Sequence, residues 1–364
     1  MDLTNVETMK KIKITGLVII GLILFCIVLW IYNKLTLNDR NCKTMNGLYK
    51  DFPLIHTLNP NNEKFSYNLR DYYIKTAYNS CSAGSFKNDF VNICALKDCI
   101  RQGARCLDFE IYSIDNKPVI AVSSQDNFNV KESYNSVTFS SAIEVIRDYA
   151  FSGSMCPNPG DPLILHFRIM SHNKSICNEM ANVLFNTLES RLLGKKYSYE
   201  NNGKNLGTIP LKKIMGKIII VIDKTNPLFQ GTDLDEYVNI ASNSVFMRAL
   251  RYHDVRYTPD MQELIEFNKK YMTIALPDLN DKTTNISSAL AMKYGCQMVA
   301  MSFQNFDTNM EYYKEFFNSV GSAFVLKPEN LRHIPVTIPV PPPPNPAYSY
   351  KERPIKSDYY SFTI

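Results

Sequence analysis

The chain has 364 residues, 45% of them apolar and 21% charged, with a formal net charge of +5. That is enough apolar material for one large core or two small ones, and it excludes a disordered or low-complexity chain. Lysine and arginine are interspersed with acidic residues rather than gathered in a stripe, so no nucleic acid partner is expected.

The first 13 residues are polar and carry Lys10, Lys11 and Lys13. Residues 14–32, ITGLVIIGLILFCIVLWIY, hold no charge and close on Trp30 and Tyr32. At about 1.5 Å per residue such a helix spans close to the roughly 30 Å hydrocarbon layer, with an aromatic pair at one interface. A cleaved signal peptide has a shorter apolar core and ends in small residues, which NKLTLND lacks. The expectation is a transmembrane helix and a single-pass membrane protein. Lys34, Arg40 and Lys43 follow the span, so the positive-inside count is level. The tighter clustering of the three preceding lysines leans toward a cytosolic N-terminus. Sequons at Asn173 and Asn285 would then be usable.

Of nine cysteines, Cys26 lies in the span. Cys81, Cys94, Cys99 and Cys106 are close in sequence, but no C-x-x-C pair exists and zinc spacing is absent. Buried thiols and disulfides both stay open, the latter requiring an oxidising compartment.

Residues 33–69 read as a linker. From 70 to 335 apolar extended runs alternate with helical periodicity. YYIKTAY, ARCLDFEIYSI and PVIAVSS read as strands and FSSAIEVIRDYAF as a helix. PLILHFRIM is a strand followed by a helix near Ser175 to Leu193, and KIIIVID and YVNIAS are strands. A helix over Met261 to Lys270, the strand YMTIALP, a helix near Ser287 to Tyr294, the strand MVAMSFQ, the helix MEYYKEFF and the strand AFVLKP complete the series. This alternation predicts an α/β fold, either a (β/α) barrel or a doubly wound sheet. Residues 336–364 form a Pro- and Tyr-rich tail that favours extended polyproline II structure. It is read as solvated, or as a docking segment for a protein that recognises the proline run or NPAY, Asn345 to Tyr348.

Two stretches resemble the X and Y boxes of eukaryotic phosphoinositide-specific phospholipases C. The first holds IRQGARCLDFEIY, AIEVIRDYAF, DPLILHF and LKKIMGKIIIVID; the second is YGCQMVAMSFQ followed by VGSAFVLKPENLRH, similar to that family's "GCQ-V-A-N-FQT … G-GYVLKP-LR". The resemblance covers residues 70–335 in the family's order. It implies a TIM-like barrel of the phospholipase C phosphodiesterase type, with the anchor in place of the family's accessory membrane modules.

That family cleaves phosphoinositides with two histidines and a calcium ion. The resemblance puts Tyr78 at the first histidine position (TAYNSCS against "SHNTY") and Val122 at the second (PVIAVS against "P-I-I-Y-H-G"). A phenol with a pKa near 10 is a poor base and valine transfers no proton. Asn79, Asp108 and Glu110 match calcium ligands. The third carboxylate position holds Arg168, whose permanent charge would satisfy Asp108 and Glu110 and exclude calcium. Val221, Asp223, Ile274 and Leu276 stand where the family clamps phosphate and inositol. The expected function is a pseudoenzyme, a membrane-anchored binding or structural module with no cofactor; its partners would be the membrane, a phosphoinositide headgroup at Arg168, or a protein on the tail. The alternative is an active, calcium-independent phosphoric diester hydrolase with a relocated base, His166. His166 lies two residues before Arg168 on the same strand face.

Overall fold

The computed structural model describes residues 3–335, 341–345, 348 and 351–364. The first helix, α1 (Leu3–Leu48), runs unbroken for 46 residues, about 69 Å. The apolar span is its middle, and the segment expected to be a linker from residue 33 is helical to Leu48. No proline interrupts it, and its polar residues are not a loop signal but a docking face. Asn38, Asn41 and Asn46 bond to Asn92, Asp89 and Asp98, and Cys42 is disulfide-bonded to Cys94. Among the described residues Cys81, Cys99, Cys106, Cys156, Cys177 and Cys296 are buried free thiols.

The chain then builds β1 (Tyr72–Ala77), α2 (Ile93–Arg101), β2 (Cys106–Ile114), β3 (Lys117–Ala121), β4 (Val137–Thr138), α3 (Phe139–Tyr149), β5 (Leu163–Ile169) and α4 (Ser175–Leu188). A left-handed turn, α5 (Ser198–Gly203), precedes β6 (Ile218–Asp223), β7 (Ile240–Ser242) and β8 (Met247–Arg251). The series closes with α6 (Tyr252–Arg256), α7 (Met261–Lys270), β9 (Met272–Leu276), α8 (Ser288–Lys293), β10 (Met298–Met301), α9 (Thr308–Val320) and β11 (Phe324–Leu326).

Eight parallel strands line up as β7-β6-β5-β2-β1-β10-β9-β8. The two ends, β7 and β8, are joined by only four residues and lie against each other, so the barrel is nearly closed. The strands are buried along almost their whole length because helices cover them outside and side chains fill the lumen. A TIM-type barrel, not a doubly wound sheet, is the architecture.

Two buried side chains hold the base, at the N-terminal strand ends. Gln297 donates from Nε2 to the carbonyls of Arg70, Asn268 and Tyr271, and its Oε1 accepts from the Thr273 amide. Lys327 donates from Nζ to the carbonyls of Asn268 and Gly295. These carbonyls lie where strands begin and would otherwise be buried unpaired.

Residues 334–364 form a separate unit. Within it β12 (Pro354–Lys356) and β13 (Ser361–Thr363) pair as an antiparallel hairpin, so the tail is not uniformly extended. Of the NPAY stretch, Pro346 and Ala347 lie outside the described residues. In the barrel, the Asn285 sequon is buried with its amide donating to the carbonyls of Ser302 and Asn305.

Candidate functional site

Because side chains alternate along a strand, β2 sends Asp108 and Glu110 into the lumen and β5 sends His166 and Arg168. The register pairs Asp108 with His166 and Glu110 with Arg168. Arg168 meets Asp108 in a fork, Nε to Oδ1 at 3.0 Å and Nη2 to Oδ2 at 2.8 Å. It also donates from Nη1 to Glu110 Oε1 at 3.0 Å and from Nη2 to Asn79 Oδ1 at 2.9 Å. Four of the five guanidinium N–H bonds are therefore taken. Asn79, in the left-handed region at φ 42° that asparagine tolerates, donates in turn to Glu110 Oε1. The Tyr78 ring lies over the guanidinium with its centroid 4.9 Å from Cζ.

The electrostatics follow from one cation shared by two carboxylates. Burial opposes ionisation of Asp108, but the Arg168 charge and the His166 hydrogen bond outweigh it and hold the carboxyl well below its usual range. Glu110 is pushed up by burial, which Arg168, Asn79 and Tyr112 only partly offset. The difference is geometric: Asp108 has the bidentate contact and Glu110 a single one. Its other oxygen accepts from the Tyr112 hydroxyl and the Ser123 amide. Burial lowers Arg168, yet its anionic neighbours prevail and raise it.

A calcium ion does not fit here, because the guanidinium fills the space between Asn79, Asp108 and Glu110 and brings positive charge of its own. Among the described residues no group of three or more histidine, cysteine, aspartate or glutamate side chains is placed to hold a metal ion.

His166 is not presented as a base. Its Nδ1 is 2.7 Å from Asp108 Oδ1 and its Nε2 is 2.9 Å from Ser242 Oγ. The connectivity is that of a Ser-His-Asp triad, with all three side chains 0% exposed. Val122, at the second histidine position, is buried in the main core.

Above the cluster, at the C-terminal strand ends, lies a cavity of about 350 Å³ that Arg168 reaches together with Asp126, Asp223, Asn243, Arg251 and Leu276. Of the four clamp positions, Asp223 and Leu276 line it, whereas Val221 and Ile274 are core residues. Asp223 accepts from the Thr225 hydroxyl and the Asn243 amide. Sequence reasoning missed Arg251, at the end of β8. Its Nη2 donates to both Asp126 oxygens at 2.8 Å, and its Nη1 donates to the Pro277 carbonyl at 2.9 Å and the Tyr78 hydroxyl at 3.3 Å. Burial pushes the Tyr78 phenol up in spite of the two arginines. The signal for Arg251 was alternation: Met247, Ala249 and Arg251 share one face of a strand that was not recognised.

The fold, with its polar cluster at the C-terminal mouth, defines a TIM-type barrel of the kind that carries sites on its upper loops. Residues 65–224 match the X domain and residues 229–330 the Y domain of phosphatidylinositol-specific phospholipase C. The crystal structures of L. pealei PLC21 and S. officinalis PLC21 superpose with TM-scores of 0.62 and 0.61 at 18% identity. The matches cover 76% and 77% of this chain and 39% of each of those chains, so the protein spans well under half of their length. At that identity the likeness shows the fold alone. No curated protein sequence matches the chain. The chain belongs to the phosphatidylinositol-specific phospholipase C family.

Proposed function

We propose that the protein is a membrane-anchored phospholipase C-like barrel that binds an anionic, polyol-bearing lipid headgroup without cleaving it. The observation that carries this reading is Arg168, bonded at once to Asn79, Asp108 and Glu110. The family's reaction needs a proton acceptor, a proton donor and a divalent ion; here these positions hold Tyr78, Val122 and a guanidinium. With His166 sealed below the cavity, nothing supports a relocated base. Arg168 has a single N–H bond left for a phosphate, so Arg251, held only by the half-exposed Asp126 and by neutral oxygens, is the better anion contact. Asp223, Thr225 and Asn243 supply acceptors and donors for hydroxyl groups.

Helix α1 is long and apolar enough to cross a membrane, which supports the anchor. The Cys42–Cys94 disulfide supports a barrel in an oxidising compartment and hence a cytosolic N-terminus. The test is phosphoinositide hydrolysis by the full chain with calcium and with chelator, alongside binding to phosphoinositide-containing vesicles. No inositol phosphate release and saturable binding that Arg251→Ala weakens are expected. Calcium-stimulated release that Glu110→Ala abolishes would refute the reading.

A further inference from the structure

Apart from Asn41, which meets Asp89 in the loop before α2, the contacts of α1 with the barrel follow one order. Lys34 meets the Asn88 carbonyl and the Tyr134 hydroxyl, Asn38 meets Asn92, Cys42 is bonded to Cys94, Asn46 meets Asp98, and the Tyr49 carbonyl accepts from Gln102. As the numbers rise along α1 they rise along α2, so the two helices run parallel. Since α2 connects the parallel strands β1 and β2, it must run against them, from the C-terminal mouth of the barrel to its base. Helix α1 therefore passes the mouth loops at Lys34, Tyr49 just beyond its end still donates to the Phe303 carbonyl in the loop after β10, and the chain reaches the base at His56 and Leu58, which bond to Gly321 and Asp161. Its apolar part, upstream of Lys34, projects beyond the mouth.

We infer that the barrel is clamped with its mouth toward the bilayer that α1 crosses, the mouth loops lying against the lipid headgroups. This rests on the reading of α1 as a membrane span. The distance is short: Trp30 lies four residues before Lys34, a rise of about 6 Å. The barrel residues at this level are aromatic. Phe90 and Tyr134 face Trp30, Lys34 and Leu35 across a crevice of about 440 Å³, and Trp and Tyr are the side chains that settle at the membrane–water boundary. Loops after β3 and β9 also expose Val130 and Leu279 at the mouth. The disulfide and the row of side-chain bonds leave no flexible tether between span and barrel. A ligand in the mouth cavity is accordingly a lipid of that same membrane.

The experiment uses the full chain in phosphatidylcholine–phosphatidylserine vesicles containing a lipid with a nitroxide on its headgroup. In a Cys26→Ser background, a fluorophore is placed singly through Val130→Cys or Leu279→Cys at the mouth, and through Leu54→Cys or Lys213→Cys at the base. All four positions are exposed. Loss of emission at the two mouth positions, with none at the two base positions, is expected. Flotation with the vesicles after carbonate washing is measured on the same samples. A floating chain quenched at the base, or at neither end, overturns the orientation while leaving the anchor intact. A chain that does not float overturns the anchor, and the orientation with it.

Discussion

Replacing Arg168 with methionine keeps most of the volume and removes the charge that Asp108 and Glu110 share inside the barrel. Both carboxylates are at most 2% exposed, so neither recovers hydration, and each can only stay ionised unpaired or take up a proton. At pH 7 protonation costs about 1.36 kcal/mol for every unit above an ordinary pKa near 4, or about 4 kcal/mol per carboxyl. Broken buried ion pairs typically cost about 3–5 kcal/mol, against a total stability of about 5–15 kcal/mol for a domain. Arg168→Met should therefore lower the unfolding midpoint sharply at pH 7. The pH dependence has a definite sign. Without the guanidinium the folded-state pKa values rise above the unfolded ones, so stability is fully present below the unfolded pKa and is lost as pH rises through the folded value. The deficit relative to the native chain should shrink from pH 7 to pH 5. Urea unfolding of the detergent-solubilised full chain at both pH values measures this. An unchanged midpoint at pH 7, or a deficit that widens on acidification, would refute the argument.

Other outcomes follow from the same structure. Arg168→Glu would place a third carboxylate beside Asp108, Glu110 and Asn79, so millimolar calcium should raise the unfolding midpoint of that variant and leave the native midpoint unchanged; a calcium-induced rise in the native chain would contradict the account of the site. Among the described residues the Lys75 amine has no hydrogen-bond partner, and burial lowers its pKa to about 7. Between pH 7 and about 10 the unfolded chain then holds the extra proton, so native stability should climb from pH 7 to pH 9. Lys75→Met should add about 1–3 kcal/mol at pH 7 and flatten that climb; a lower midpoint would speak against it. The Cys42–Cys94 bond joins positions 52 residues apart. Cys42→Ser should cost up to about 4 kcal/mol by the loop-entropy relation, and peptide mapping of membrane-isolated protein without reductant should recover the cross-linked pair; recovery of only free thiols would argue against an oxidising location for the barrel.

How far the sequence could be read depended on whether the signal was local. The periodicity of Met261–Lys270 gave α7 to the residue, and the alternation in CLDFE and LILHFRIM put Asp108, Glu110 and Arg168 on inward faces. The limits of α1 were misjudged because its flanks are polar, and polar residues that dock on a partner helix look the same in sequence as residues of a solvated linker. The pairing of Cys42 with Cys94 left no local trace, since the helix that brings them together was not expected to reach residue 42. Arg251 was missed because β8 is short, half-buried and charged, a pattern that does not separate an edge strand from a loop. His166 shares a strand face with Arg168 as expected, but strand alternation says nothing of depth, and one layer lower in the lumen means enclosure.

Gln297 and Lys327 belong to the two stretches, GCQ and VLKP, by which the chain most resembles its family, yet neither approaches the mouth. Both tie together carbonyls beneath the strands, and Gln297 also accepts from the Thr273 amide, at the end of the barrel opposite the cavity. These two of the features that make this protein recognisable are therefore scaffolding, remote from the mouth cavity. A barrel of this kind can exchange side chains at its mouth while these two stretches stay legible, because they and the mouth lie at opposite ends of the same strands. Membership in the family, read from those stretches, is a statement about how the chain closes on itself, and the occupants of positions 78, 122 and 168 carry the separate statement about what it does.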